Sequence, residues 1–235
     1  CSDDMLNKIH NASVWSTITN IQGIITDCTQ REKNGWTGDA LLSAEQSLMN
    51  FDIVSIYKKW LVDISDTQRP NGQISCIAPT SGWGYNWGSG PAWDSALILI
   101  PYYIYKYTGD KSVLAKMWDN MALYMKFIES MSDKNEVCFG LGDWCAPEGA
   151  KLCPTVITDT AYFYVDNKVM ARCAKLLEKD DGVYQKRAVE IKKSFRDKYI
   201  KNDFYLGGDN NKIIFIYIIH KQSSILFIYN YIFYI

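Results

Sequence analysis

The stretch DCTQREKNGWTGDA, residues 27–40, gathers Asp27, Arg31, Glu32 and Asp39 around Trp36 and two glycines. Three carboxylates are hydrogen-bond acceptors when ionised and suit ligand hydroxyls. Arg31 can hold one of them in place or keep it charged. Trp36 offers a flat apolar face, and a carboxyl beside such a face can keep its proton, as a general acid at neutral pH must. Gly35 and Gly38 allow tight turns. The competing reading is a solvated connection between two helices, with Asp39 as N-cap for ALLSAEQSLM. On these residues alone the two readings stand level.

Two further segments carry side chains of interest. RPNGQISCIAPTSGWGYNWGSGPAW, residues 69–93, and CFGLGDWCAPEGAKLCP, residues 138–154, are long and rich in Gly, Pro and Ser. Long loops in compact domains are usually functional. Most of the eight Trp lie near such glycines. Clustered loop Trp can fill a core or build a stacking surface for sugars. Asp94 follows Trp93 at a helix start, where a charge favourable to the first turn is the simpler explanation. Asp143 precedes Trp144, with Glu148 close by.

The elements that must position these loops read as helices. Residues 3–19 carry Met5, Leu6, Ile9, Ala12, Val14 and Trp15 at roughly helical spacing, with Ser2 or Asp3 as N-cap. Further helices are predicted over 38–50, 52–65, 92–107, 111–131, 155–178 and 183–200. No strand run interrupts them, so the chain is expected to be all-α, built of helix pairs joined alternately by short turns and long loops. His10 reads as a structural helix residue, Met117, Met121 and Met125 as helix filler, and Lys186, Arg187, Lys192 and Lys193 as a solvated face.

Composition narrows the function classes. With 235 residues, 48% hydrophobic, 22% charged and a formal net charge of -1, the chain is globular in character. A near-zero charge gives no case for nucleic acid or an anionic membrane surface as partner. Seven Cys, without a CxxC pair and with only His10 and His220 beside them, argue against zinc. Free thiols are the simpler reading, with a Cys145–Cys153 loop staple as the alternative. No signal peptide is visible, but the chain begins at Cys1, and the natural N-terminus is expected to lie upstream. Asn-Ala-Ser at 11–13 would matter only in a secreted protein, so cytoplasmic and secreted locations both stay open.

From Asn210 the sequence has no Gly, Ala, Pro, Asp, Glu or Arg, only residues of largely A/T-rich codons. Its apolar runs, 213–219 and 225–235, are each shorter than the roughly 20 residues a membrane-spanning helix needs. Residues 208–235 are therefore read as an aberrant tail outside the fold, and 1–207 as the domain.

The loop at 27–40 resembles the signature of the bacterial-type α-L-rhamnosidases, glycoside hydrolase family 78, written D-C-P-Q-R-E-x-x-G-W-x-G-D-A, with Thr29 in place of the usual Pro. CSDDMLNKIHNASVWSTITNIQGIITDC resembles the lead into that loop. GWGYNWGSGPAWDSALILIPYYIYKYTGD and GLGDWCAPEG resemble later loops of the same domain, so the likeness covers about residues 1–205. It implies a partial (α/α)6 barrel, a six-hairpin toroid of which this chain supplies about seven of twelve helices. It implies hydrolysis of terminal α-L-rhamnose with inversion, with a rhamnose-containing glycoside or polysaccharide as partner and no cofactor.

By the same resemblance Glu32 is the general acid, and Asp27 and Asp39 hold sugar hydroxyls beside Arg31 and Trp36. Asp143 and Trp144 line the sugar pocket, while Trp87 or Trp93 faces the methyl group of the deoxysugar. An inverting enzyme needs a second carboxylate roughly 6.5–9.5 Å away to activate water. In the family that base is a Glu far downstream, expected to be missing here, with Asp94, Asp143 and Glu148 as weak substitutes. A non-catalytic, sugar-binding fragment and another six-hairpin glycosidase are the alternatives. The oligomeric state is not legible.

Overall fold

The computed structural model describes residues 1–144, 152–201 and 204–205. Helix α1 spans Asp4–Asn20, and the Asp3 carboxylate caps it by accepting the Met5 and Leu6 amides at 2.8 and 3.0 Å. Met5, Leu6, Trp15 and Ile18 are exposed on it. Thr17 is its buried residue and accepts from Gln46, while Asn20 at its end accepts from Thr26. A turn with an Ile21–Ile25 bridge then leads into the acid-rich loop.

The following helices are α2 (Thr37–Asn50), α3 (Val54–Asp66), the single turn α4 (Pro91–Asp94), α5 (Ala96–Thr108), α6 (Ser112–Ser130), α7 (Thr155–Leu176) and α8 (Gly182–Tyr199). The two-residue strands β1 (Ile200–Lys201) and β2 (Phe204–Tyr205) pair antiparallel after them. The helix expected over 92–107 is met by α4 and α5, which join at Ser95, itself in helical conformation. The Ser95 hydroxyl leaves that turn to donate to Asp166 of α7 at 2.7 Å.

Helices α2, α5 and α7 pack in succession as one layer. Each is followed along the chain by a helix of a second layer: α3, α6 and α8. Helix α5 is the centre of the arrangement. Ala96 to Pro101 and Ile104 are all buried, because α2, α3, α6 and α7 surround it. A helix apolar on every side belongs in such a position. Removing one of its fully buried side chains, as in Ile98→Ala, costs about 2–5 kcal/mol.

Met117, Met121 and Met125 are buried on α6, as filler should be. Arg187 departs from expectation. It is mostly buried, not solvated, and its guanidinium bonds Glu129 at 2.8 Å, Ser132 and Asn135 while lying over the Phe163 ring. One side chain of α8 thus clamps the α6 end and the connection into α7.

Candidate active site

The segments that precede α2, α5 and α7 meet at one end of the molecule. The first two are stitched together through the backbone. Thr37 N–H donates to the Cys76 carbonyl at 2.8 Å, and Ala78 N–H donates to the Gly35 carbonyl at 2.9 Å. Behind them the fully buried Trp60 donates its indole N–H to the Ala78 carbonyl at 2.6 Å. The third segment presses on the second at Gly140, which has φ +83°. A Cβ there would lie 1.4 Å from the Ser89 carbonyl oxygen, so no other residue fits.

Within the acid loop, Asp27 and Asn34 close a ring. Asp27 N–H donates to the Asn34 carbonyl at 3.0 Å, and Asn34 N–H returns to Asp27 Oδ1 at 2.9 Å. Glu32 is gripped from two sides: Trp36 Nε1 donates to Oε2 at 2.8 Å and Arg31 Nη2 donates to Oε1 at 2.6 Å. The Trp36 bond, then the Arg31 bond, hold the Glu32 carboxyl below its ordinary value despite some loss of water. Of the two expectations for a carboxyl in this loop, ionised beside Arg31 or protonated against an aromatic face, Glu32 follows the first. It is the indole N–H, not the ring face, that meets Glu32, and a donor favours the anion.

Asp39 behaves oppositely. It sits in the first turn of α2 and is not its N-cap; Trp36 occupies that position. Its side chain opens to solvent, yet protein crowds it on the other sides. Loss of water, then repulsion from Asp27, pushes its carboxyl up to about 6, with a smaller push from Glu32. An accessible group that protein partly surrounds keeps a water-facing side while losing much of its hydration, so the two observations agree. The loop therefore holds one carboxyl firmly ionised and another near its midpoint at mildly acidic pH.

Four tryptophans extend the site. Trp36 meets Trp83 and Trp87 edge-on, with ring centroids 5.7 and 5.9 Å apart. Trp83 and Trp87 stack at 6.2 Å, 27° from parallel, and Trp144 stands edge-on to Trp87 at 6.1 Å. Trp36 is buried, whereas Trp83, Trp87 and Trp144 remain 44%, 54% and 58% exposed. Trp93 shares a buried cluster with Trp36, Cys76, Ile77 and Ala92. It is 9% exposed and packs beneath the first turn of α2, where a Cβ on Gly38 would come within 2.7 Å of its indole nitrogen.

The structure thus unites Asp27, Arg31, Glu32, Trp36 and Asp39 and joins Trp144 to them through Trp87, while Trp93 backs the loop from below. Asp143 Oδ2 accepts the Cys153 amide at 2.8 Å, so it holds the neck of the segment that carries Trp144. Glu148 and the Cys145–Cys153 pairing lie outside the described residues. Trp83 escaped the sequence reading; the density of Trp and Gly in GWGYNWGSG was its only signal.

Asp94 is not in the open site. It is fully buried at the end of α4, and its Oδ2 accepts the Ser89 hydroxyl at 2.7 Å and the Gly90 amide at 3.0 Å. Asp159 and Asp166 are fully buried as well. They accept from the Phe139 amide at 3.0 Å and from Ser95. Burial pushes Asp94 up to about 7, Asp159 up to about 8 and Asp166 well above the carboxylate range. Each anchors a segment of the site end, and each keeps one oxygen without a partner. Among the described residues no His, Cys, Asp and Glu group of three or more is arranged to hold a metal, and no helix is long and apolar enough to cross a membrane.

Residues 1–221 match the family described as the bacterial alpha-L-rhamnosidase 6 hairpin glycosidase domain. An alpha-L-rhamnosidase of Formosa agariphila is 33% identical over 217 residues, which cover 86% of this chain and 23% of that protein. One from Streptomyces avermitilis is 32% identical over 208 residues, covering 87% of this chain and 20% of its own length. The solved alpha-L-rhamnosidase of Dictyoglumus thermophilum superposes with a TM-score of 0.81 at 38% identity, over 87% of this chain and 24% of that one. The S. avermitilis enzyme complexed with L-rhamnose gives a TM-score of 0.79 at 30% identity, over 86% and 19%. The chain spans about a quarter or less of each of these four. With its all-α partial toroid and this signature loop, the chain belongs to the bacterial α-L-rhamnosidase six-hairpin glycosidase domain family.

Proposed function

We propose that this chain forms one wall of a site that hydrolyses terminal α-L-rhamnose from glycosides or polysaccharides. The observation that carries the reading is the juxtaposition of Asp27, Glu32 and Asp39 with an aromatic surface, in a domain whose relatives are named for that activity. Carboxylate acceptors suit the hydroxyls of the sugar, and aromatic rings suit the apolar end of a 6-deoxysugar.

Glu32 is assigned as the proton donor to the leaving oxygen. In the free chain it is ionised, so the role requires a change on binding. The Arg31 bond is the exchangeable one, since the Arg31 side chain is 85% exposed. A sugar that displaces Arg31 and expels water removes one support of the anion and adds desolvation, and both raise the proton affinity of Glu32. Asp27 and Asp39 hold hydroxyls, and Asp39 is part-protonated near pH 6, able to donate as well as accept. Asp143 sets the segment bearing Trp144. The reaction is direct displacement by water with inversion through an oxocarbenium-like transition state, assisted by a second carboxylate.

That second carboxylate is assigned to a part of the barrel outside this stretch. Asp94 is sealed, and Asp143 is bonded to the Cys153 amide. These two observations favour a second reading for the chain alone: it binds rhamnose and does not turn it over. Calorimetry with L-rhamnose, together with an aryl rhamnoside assay, tests both parts. Binding without turnover is expected. Absence of binding would reject the site, and brisk turnover would reject the missing base.

A further inference from the structure

Of the two donors that grip Glu32, Arg31 is exposed and the Trp36 indole is buried, so the orientation of the acid depends on what fixes that ring. The backbone at Trp36 is tied to residues 76–78: Trp36 bridges Ile77, while Thr37 and Gly35 on either side bond Cys76 and Ala78. The ring needs its own walls. Its near edge carries Nε1 to Glu32 at 2.8 Å. Its far edge meets Gly88, where a Cβ would lie 3.1 Å from Trp36 Cζ3 and 2.6 Å from Cys76 Sγ. Trp83 and Trp87 touch the ring edge-on but are themselves exposed. Gly88 is therefore the firm stop, since backbone cannot rotate aside as a side chain can.

What holds the stop is Asp94. Gly88 has φ +91° and Gly90 has φ +130°, a path that glycine permits but does not enforce. On one side the Cys76 thiol donates to the Trp87 carbonyl at 3.9 Å, a weak bond. On the other, Asp94 Oδ2 accepts the Ser89 hydroxyl at 2.7 Å and the Gly90 amide at 3.0 Å, both sealed from water. Such buried bonds are costly to break. Asp94 also belongs to α4, whose Ala92 and Trp93 share a buried cluster with Trp36. One carboxyl thus fastens the stop at the far edge of the ring to the floor on which the ring rests. We propose that Asp94 is a positioning residue for Glu32, acting through Gly88 and the Trp36 indole.

This role rests on the reading of Glu32 as proton donor, whereas its test needs no sugar. A 13C NMR titration of the Glu32 carboxyl in the 235-residue chain reads the indole bond, the first cause of its lowered pKa. In Asp94→Ala the ring loses its stop and Glu32 titrates higher, toward an ordinary glutamate. Asp94→Asn keeps a carbonyl acceptor and leaves Glu32 near its value in the unaltered chain. Ser89→Ala removes one of the two bonds and gives a smaller rise, which decides the matter where far-UV circular dichroism shows Asp94→Ala unfolded. Ile98→Ala, a core truncation away from the loop, leaves Glu32 unmoved. The sign separates geometry from charge, because loss of a nearby negative charge would move Glu32 down. A downward or absent shift overturns the role, as does an equal rise in Ile98→Ala. Failure of the proton-donor reading shows separately, as near-normal turnover of Glu32→Gln.

Discussion

Two carboxylate trios sit at the same end of this fold, and they share little beyond residue type. Asp27, Glu32 and Asp39 open to solvent on one loop and the first turn of α2; Asp94, Asp159 and Asp166 are sealed between α4 and α7. The open trio has donors for its anions, a backbone amide for Asp27 and an indole and a guanidinium for Glu32. The sealed trio has hydroxyl and amide donors, and among the described residues no ion pair involves it. A buried carboxylate without a cation keeps its proton, and can then anchor loops without carrying a charge. Environment thus divides six acids into three that open to solvent and three that brace the segments beside them.

The comparison breaks most visibly under substitution of Glu32. In a protein carrying this stretch with the rest of the barrel, Glu32→Gln is expected to lower kcat/KM toward an aryl rhamnoside by roughly 100- to 10,000-fold. The thermal midpoint should hardly move. Near-normal turnover would remove Glu32 from the donor role.

The sealed trio should reveal itself through pH. Its folded-state pKa values lie above those of the unfolded chain, so the folded form binds more protons through the intervening range. Stability is then full near pH 4 and is lost as pH rises through about 7 and 8, the values of Asp94 and Asp159. Urea titrations should show a lower unfolding free energy at pH 8.5 than at pH 5. Asp159→Asn, which keeps an acceptor for Phe139, should flatten that slope. An unchanged slope would mean that these acids do not stay protonated.

Smaller effects come from the clamp on α8. Arg187→Ala is expected to cost about 1–3 kcal/mol by leaving partners unpaired, while Lys186→Ala next to it stays within about 0.5 kcal/mol. Equal costs from chemical denaturation would restore the solvated face that the charge pattern suggests. The smallest effect belongs to Trp36→Phe, which deletes the N–H on Glu32 and keeps most of the ring. It should raise the Glu32 pKa with little loss of fold, read by carboxyl NMR.

These contrasts also show what could be read from sequence. Helices with a polar face, such as α6 and α8, announce themselves by period, and the acid loop by its motif. The Ser95–Asp166 bond does not, because the run around Ser95 is apolar and its partner lies 71 residues away. The same holds for Arg187, whose partners Glu129 and Asn135 are 58 and 52 residues distant. Listing Asp, Glu and Trp in one loop cannot say whether a ring face or an indole N–H meets the acid. That choice, made by the turn between Glu32 and Trp36, decides between the ionised and the protonated carboxyl that the residue types left open.

The most direct test of the account follows the Glu32 and Asp39 carboxyls by 13C NMR across pH, with and without saturating L-rhamnose. The account predicts that free Glu32 titrates below an ordinary glutamate and Asp39 near 6, and that rhamnose moves Glu32 upward. A Glu32 titration unmoved by rhamnose would contradict it.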